Sequence, residues 1–223
     1  MPHPLQTPLD AFGVCVREIQ HMANFVPAHR DEWGPGLAIG VAGPTAGVGA
    51  TTLATAVAAT LSEDLDAGVA LVDADFETDV ARDDPLLPDR PGLSDFLLGA
   101  AAFEDVCHEV GSSGLTVVPA GQQRGHPMRI ARSGLAPEFA RIVRERHRYV
   151  IFDLPAISPS TTAPVLASLC DGLVIITRVG ETTTVELQRT IQKLKGAHIY
   201  GVVLNRWQSR IPHWLESALA LGR

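Results

Sequence analysis

Long apolar runs are missing from this sequence: the longest, around Leu173 to Ile176, falls far short of the roughly 20 residues that span a bilayer. The opening Met1-Pro-His-Pro-Leu-Gln-Thr-Pro also lacks the charged start and apolar core of a secretory signal, so a soluble cytoplasmic protein is expected. Cysteine is scarce. Cys15, Cys107 and Cys170 are odd in number, far apart and in apolar settings, which excludes a disulfide framework and reads as buried thiols. The eight histidines form no i, i+4 pair and no Cys/His ligand pattern, so neither zinc nor haem is expected. Basic runs are absent as well. With 18 Lys and Arg against 25 Asp and Glu the formal charge is 18 − 25 = −7, and no nucleic-acid partner is expected.

The 223 residues are 46% hydrophobic and 19% charged, which suits one sizeable α/β domain with a buried core. Its organising stretch runs from Leu37 to Thr55. An apolar strand, 37–42, enters a turn of Gly, Pro and small residues and continues into a helix with apolar spacing at Leu53, Val57 and Leu61. That order is strand, phosphate loop, helix. Gly47 and Gly49 let successive backbone N–H groups point at an anion without a Cβ in the way. Just before the hydroxyl pair Thr51 and Thr52, a lysine should reach the β- and γ-phosphates; here the residue is Ala50.

Further strands alternate with helices. The run 67–75 delivers Asp73 and Asp75 at its carboxyl end, two carboxylates that on an extended chain point the same way and can hold Mg²⁺ directly or through water. A short helix is expected after Pro91, with Ser94 as cap, and another over 103–110; a third strand covers 114–121. The stretch 121–134 is locally basic and reads as a solvated loop and helix face. A helix over 137–146 precedes a strand ending in Asp153, the usual position of an acidic residue that orients metal-bound water. A strand over 172–178, a helix over 183–195 capped by Thr182 or Thr183, and a strand over 201–206 ending at Asn205 complete the alternation. This pattern predicts a mainly parallel sheet covered on both faces, with residues 43–52, Asp73, Asp75 and Asp153 at one edge. The expected division is an N-terminal helix and linker over 1–36 and an α/β domain over 37–223. The N-terminal helix, with Leu9, Phe12, Val16, Ile19 and Ala23 in its stripe, packs either on its own core or on a neighbouring subunit. A terminal helix over 209–221 buries Trp214, Leu215, Ala218 and Leu219.

The motifs at 42–52, Leu-Val-Asp-Ala-Asp at 71–75, Pro-Gly-Leu-Ser-Asp-Phe-Leu-Leu-Gly at 91–99, Leu-Thr-Val-Val-Pro-Ala-Gly at 115–121, Val-Ile-Phe-Asp-Leu-Pro at 150–155, the run 167–183 and Gly-Val-Val-Leu-Asn-Arg at 201–206 come in the order of a known group. The chain resembles the bacterial tyrosine kinases of capsule and exopolysaccharide synthesis, members of the deviant-Walker ATPases. That resemblance implies a P-loop NTPase fold, ATP or ADP with Mg²⁺ as cofactors, and a site of Gly47, Val48, Gly49, Ala50, Thr51, Thr52 and Asn205 around the nucleotide. It implies Thr51, Asp73 and Asp153 around the metal, with Asp73 and Asp75 as what remains of the catalytic set. It also implies a membrane chain-length or co-polymerase protein as partner, a homo-oligomer or dimer, and residence at the cytoplasmic face of the membrane.

The departures from the family fall on its chemistry. Ala50 replaces the phosphate-binding lysine, and Thr45 stands where partition-type ATPases carry a second one. Glu77 stands where an arginine closes the second acidic motif, and Asp10, Gly13 and Val16 stand in the oligomerisation pattern. The tyrosine cluster is missing: the two tyrosines, Tyr149 and Tyr200, lie at strand positions expected to be buried. Losing the lysine weakens ATP binding by about ten- to a hundredfold, at roughly 1.5 to 3 kcal/mol per charge-assisted bond. Phosphoryl transfer loses about 10³-fold or more. A catalytically impaired scaffold or regulator is the expectation. The alternatives are a working autokinase or ATPase that borrows Arg82, Arg178, Arg206 or a partner's arginine, and a nucleotide-independent dimerisation module.

Overall fold

The computed structural model describes residues 35–64, 68–77, 90–111, 114–122 and 125–206. The N-terminal helix, its linker, Cys15, Arg82 and the terminal helix of the sequence reading lie outside the described residues. In chain order the elements are β1 (Leu37–Ala42), α1 (Ala50–Asp64), β2 (Val69–Asp73), α2 (Leu93–Leu97), α3 (Phe103–Val106), β3 (His108–Val110) and β4 (Leu115–Val118). They continue with α4 (Pro127–Ala131), α5 (Ala136–Arg146), β5 (Tyr149–Asp153), α6 (Ala163–Ala167), β6 (Gly172–Arg178), α7 (Thr184–Lys193) and β7 (Ile199–Asn205).

β1 is apolar throughout because both its faces are covered. Leu37, Ile39 and Val41 point into the cluster under α1, where Leu53, Ala54, Val57, Ala58 and Leu61 form a buried helical stripe. Ala38 and Ala42 face the other cluster, with Phe76, Phe139, Phe152 and Leu166. The seven-stranded sheet has the order β3-β4-β2-β5-β1-β6-β7. All described pairings are parallel except β3 against β4. The mainly parallel, doubly covered α/β sheet expected from the alternation is therefore the fold.

Local differences have simple causes. The helix expected over 103–110 stops at Val106, and His108–Val110 turns back as a short antiparallel edge strand. Ser94 lies inside α2 rather than at its cap. The cap position is Gly92, whose N–H donates to Asp95 Oδ2 at 2.9 Å, and the same oxygen accepts from Gln122 N at 3.1 Å. A serine two residues into a helix has no free N–H within reach, whereas a carboxylate at the third position reaches back. Thr183 does cap α7: its hydroxyl accepts from Glu186 N at 3.2 Å, and Glu186 returns the bond. Tyr149 is buried as expected, but Tyr200 is only half-buried, because the register shifts between Leu173 and Val174 where β7 joins the sheet edge. Cys107 and Cys170 are half-buried, and desolvation pushes their thiols up to about 11 and about 12.

Candidate nucleotide site

The carboxyl ends of β1, β5, β2, β6 and β7 lie along one edge of the sheet, where ligands bind in open parallel folds. At the end of β1 the chain makes the loop 43–49 and enters α1 at Ala50. Gly47 and Gly49 have φ of 79° and 97°, a left-handed backbone that glycine adopts without strain. At Gly49 a Cβ would also collide with the Asn205 side chain. Asn205 itself donates from Nδ2 to the Val48 carbonyl at 2.8 Å, so β7 holds the loop from the far side. Val48 is buried under the loop, while Thr45, Ala46, Gly47, Thr51 and Thr52 are exposed along it. The loop therefore has the shape of an anion cradle, opening onto the N–H groups of the first turn of a 15-residue helix. At position 50, from which a lysine would reach the phosphates, the side chain is only the Ala50 methyl, packed on the apolar cluster beneath.

Asp73 and Asp153 are register partners on adjacent strands, and Ala74 N donates to Asp153 O at 2.9 Å. Asp153 lies almost wholly buried, and burial pushes its carboxyl up to about 7, with Asp73 and Asp75 adding repulsion and a hydrogen bond from Thr51 opposing them. Thr51, Asp73, Asp75 and Asp153 are thus brought together as expected. The extended geometry assumed for Asp73 and Asp75 is not: β2 ends at Asp73 and the chain turns. Asp73 Oδ1 accepts from Asp75 N at 2.9 Å, and Asp75 Oδ1 accepts from Glu77 N at 3.0 Å. Among the described residues, no group of three or more His, Cys, Asp and Glu is arranged to hold a metal ion. A cation here would rest on two carboxylates and a hydroxyl, with phosphate oxygens supplying further ligands.

Glu77 has a definite partner. Its Oε1 accepts from Thr162 Oγ1 at 2.8 Å, Thr162 N at 3.2 Å and Thr161 N at 3.3 Å, tying the segment after β2 to the one after β5. In the sequence pattern Glu77 registers only as a missing arginine. Lys193 does not stand out there either, although lysine occurs just twice in the chain, at 193 and 195. Lys193 Nζ donates to Ile157 O at 3.3 Å and Ser158 Oγ at 3.4 Å, and the N–H groups of those residues donate to the carbonyls of Gly43 and Pro44, each at 2.9 Å. Scarcity was the available signal. Of the arginines considered as substitutes, Arg178 pairs with Glu181 at 2.9 Å, and Arg206 is exposed at the end of β7.

A glycine loop on an interior strand, acidic residues on the two strands beyond it and a mainly parallel sheet covered on both faces define a P-loop NTPase. The chain belongs to the CobQ/CobB/MinD/ParA nucleotide-binding domain family, whose pattern matches residues 39–220. Within it, the chain is similar to bacterial tyrosine kinases, in keeping with the motif order. The tyrosine-protein kinase CpsD of Streptococcus agalactiae is 28% identical over 165 residues, 72% of this chain and 71% of that protein. The kinase domain of the Escherichia coli tyrosine kinase ETK superposes with a TM-score of 0.75 at 22% identity, over 89% of this chain and 78% of that one. The septum site-determining protein MinD of Pyrococcus horikoshii, solved in complex with Mg-ADP, has a TM-score of 0.61 at 20% identity, over 82% and 76%.

Proposed function

We propose that this protein is a catalytically impaired relative of the bacterial tyrosine kinases that binds ATP or ADP weakly and acts as a regulator or scaffold in exopolysaccharide synthesis or export. The carrying observation is Ala50: the cradle of Gly47, Val48, Gly49, Thr51 and Thr52 is complete in shape, and its cation is replaced by a methyl packed on the core. Nucleotide phosphates would rest on the loop and helix N–H groups, with Mg²⁺ at Thr51, Asp73 and Asp153. Asn205 would act through the loop it braces as well as toward the nucleotide. The remaining partners follow from family likeness: a membrane chain-length or co-polymerase protein, reached from the cytoplasmic side, and further copies of the chain. The division into an N-terminal helix and linker over 1–36 and a P-loop NTPase-like α/β domain over 37–223 is part of the same reading.

Calorimetric titration with Mg²⁺-ATP tests it. Saturable binding, tightened about ten- to a hundredfold by Ala50→Lys, is expected. Purified parent protein should show no phosphotyrosine and little ATP hydrolysis. Robust Mg²⁺-dependent turnover by the parent would overturn the reading in favour of an enzyme with a borrowed cation, and absence of any binding would favour a nucleotide-independent module.

A further inference from the structure

One of the chain's two lysines stands behind the phosphate loop. Lys193 ends α7, and its Nζ donates to Ile157 O at 3.3 Å and to Ser158 Oγ at 3.4 Å. Among the described residues it has no carboxylate partner, unlike Arg144 and Arg178, which pair with Asp171 and Glu181. Its charge therefore falls on a backbone carbonyl and a hydroxyl. The segment it meets is held at both ends. Ile157 N and Ser158 N donate to Gly43 O and Pro44 O, each at 2.9 Å, and further on Thr162 donates to Glu77 from both its hydroxyl and its N–H. The peptide joining Ile157 to Ser158 is thus fixed between α7 and the loop.

The two bonds to the loop differ in where they lead. The Gly43 carbonyl belongs to the peptide whose nitrogen is that of Pro44, which carries no N–H, so polarisation ends there. The Pro44 carbonyl belongs to the peptide whose N–H is that of Thr45, an exposed residue of the loop. That N–H meets no backbone acceptor among the described residues. From Lys193 a continuous series therefore runs inward: the ammonium on Ile157 O, the N–H of the same peptide on Pro44 O, and the N–H of the next peptide at the loop. A cation on the first carbonyl draws electron density along such a series, and each hydrogen bond strengthens the donor at its far end.

We propose that Lys193 is a positioning residue of the phosphate cradle, acting through the 157–158 peptide to make the Thr45 N–H a stronger donor toward an anion. It offsets part of the charge lost at Ala50 without touching the nucleotide. The proposal rests on the reading of the loop as a nucleotide-phosphate site. Because Lys193 is exposed, its contribution is modest and is screened by salt.

Calorimetric titration of the full chain with Mg²⁺-ATP at low ionic strength, with thermal denaturation alongside, tests this. Lys193→Met removes the charge at similar length, Lys193→Arg keeps it, and Lys195→Met makes the same change in net charge two residues away. Lys193→Met is expected to bind about two- to fivefold more weakly than the parent. Lys193→Arg and Lys195→Met should stay near the parent, and all three should melt with it. The deficit of Lys193→Met should shrink as salt is raised, which a loosened segment alone does not produce. Equal affinity in Lys193→Met and the parent would overturn the proposal and leave the nucleotide reading intact. So would an equal loss in Lys195→Met, which assigns the effect to net charge, or a deficit indifferent to salt, which assigns it to packing. Absence of binding by the parent overturns the proposal too, and absence in Ala50→Lys as well overturns the nucleotide reading beneath it.

Discussion

Asp153 carries the strongest electrostatic demand in the site. Its carboxyl is raised to about 7 because it is buried, and Asp73 and Asp75 crowd it further. The folded protein therefore binds this proton more tightly than the unfolded chain, whose aspartate titrates near 3.8. The resulting stability is fully present below about pH 4 and is lost as the pH rises toward about 7. In Asp153→Asn the fall should flatten, a difference that urea denaturation at a series of pH values, without divalent cations, will read directly. His147 has the opposite sign. Burial depresses its ring, which contacts Val143 O and Thr116 Oγ1, so its contribution is present above about pH 6.5 and lost on acidification. Glu77 offers a further single-residue test. Removing its three accepted bonds with Glu77→Ala should destabilise by about 1 to 2 kcal/mol, whereas Glu77→Gln, which keeps an accepting oxygen, should stay close to the parent in thermal denaturation.

Among the elements, α5 is anchored by charge as well as by the apolar face of Ala136, Phe139, Ala140 and Val143. Arg144, 2% exposed, donates from Nη1 to both Asp171 oxygens at 2.9 Å and from Nη2 to Leu169 O at 2.6 Å. Asp171 in turn accepts from Ala38 N at 2.7 Å, so one ion pair joins α5, the entry to β6 and the start of β1. Arg144→Ala leaves the carboxylate without its cation in a mostly dry setting. A loss of about 3 to 5 kcal/mol is expected from chemical denaturation. The long elements were legible in the sequence because each repeats a period: β1, β5 and β6 as unbroken apolar runs, α1 as a stripe from Leu53 to Leu61. Three of the short ones were not: β3 spans three residues, none of them buried, and α4 and α6 are single turns after a proline-containing start, too short for any period to register.

For the molecule as a whole, the order of strands decides which ends meet. β1 lies between β5 and β6, so its loop faces Asp153 on one side and, beyond β6, Asn205 on the other. Mg²⁺-ATP at about a hundred times its Kd should stabilise the fold by about 2.7 kcal/mol, seen as a rise in Tm by calorimetry. Gly49→Ala should abolish that rise, because its Cβ meets Asn205 and its backbone is left-handed.

The sequence by itself determined that strands alternate with helices, that glycines rather than bulkier residues form the loop, and that Ala50 lacks the charge a phosphate would meet. Those properties are local and follow from residue type and spacing. Only the tertiary structure decided that Asn205 braces Val48 from 157 residues away and that Glu77, read as a lost arginine, holds Thr162. It also decided that the chain bends between Asp73 and Glu77 and that Val202 and Leu204 stand open beside the site. Such contacts join distant parts of the chain through parallel crossovers. No local period encodes which strand lies beside which, so the burial of Asp153 and the exposure of Leu204 emerge when the sheet assembles.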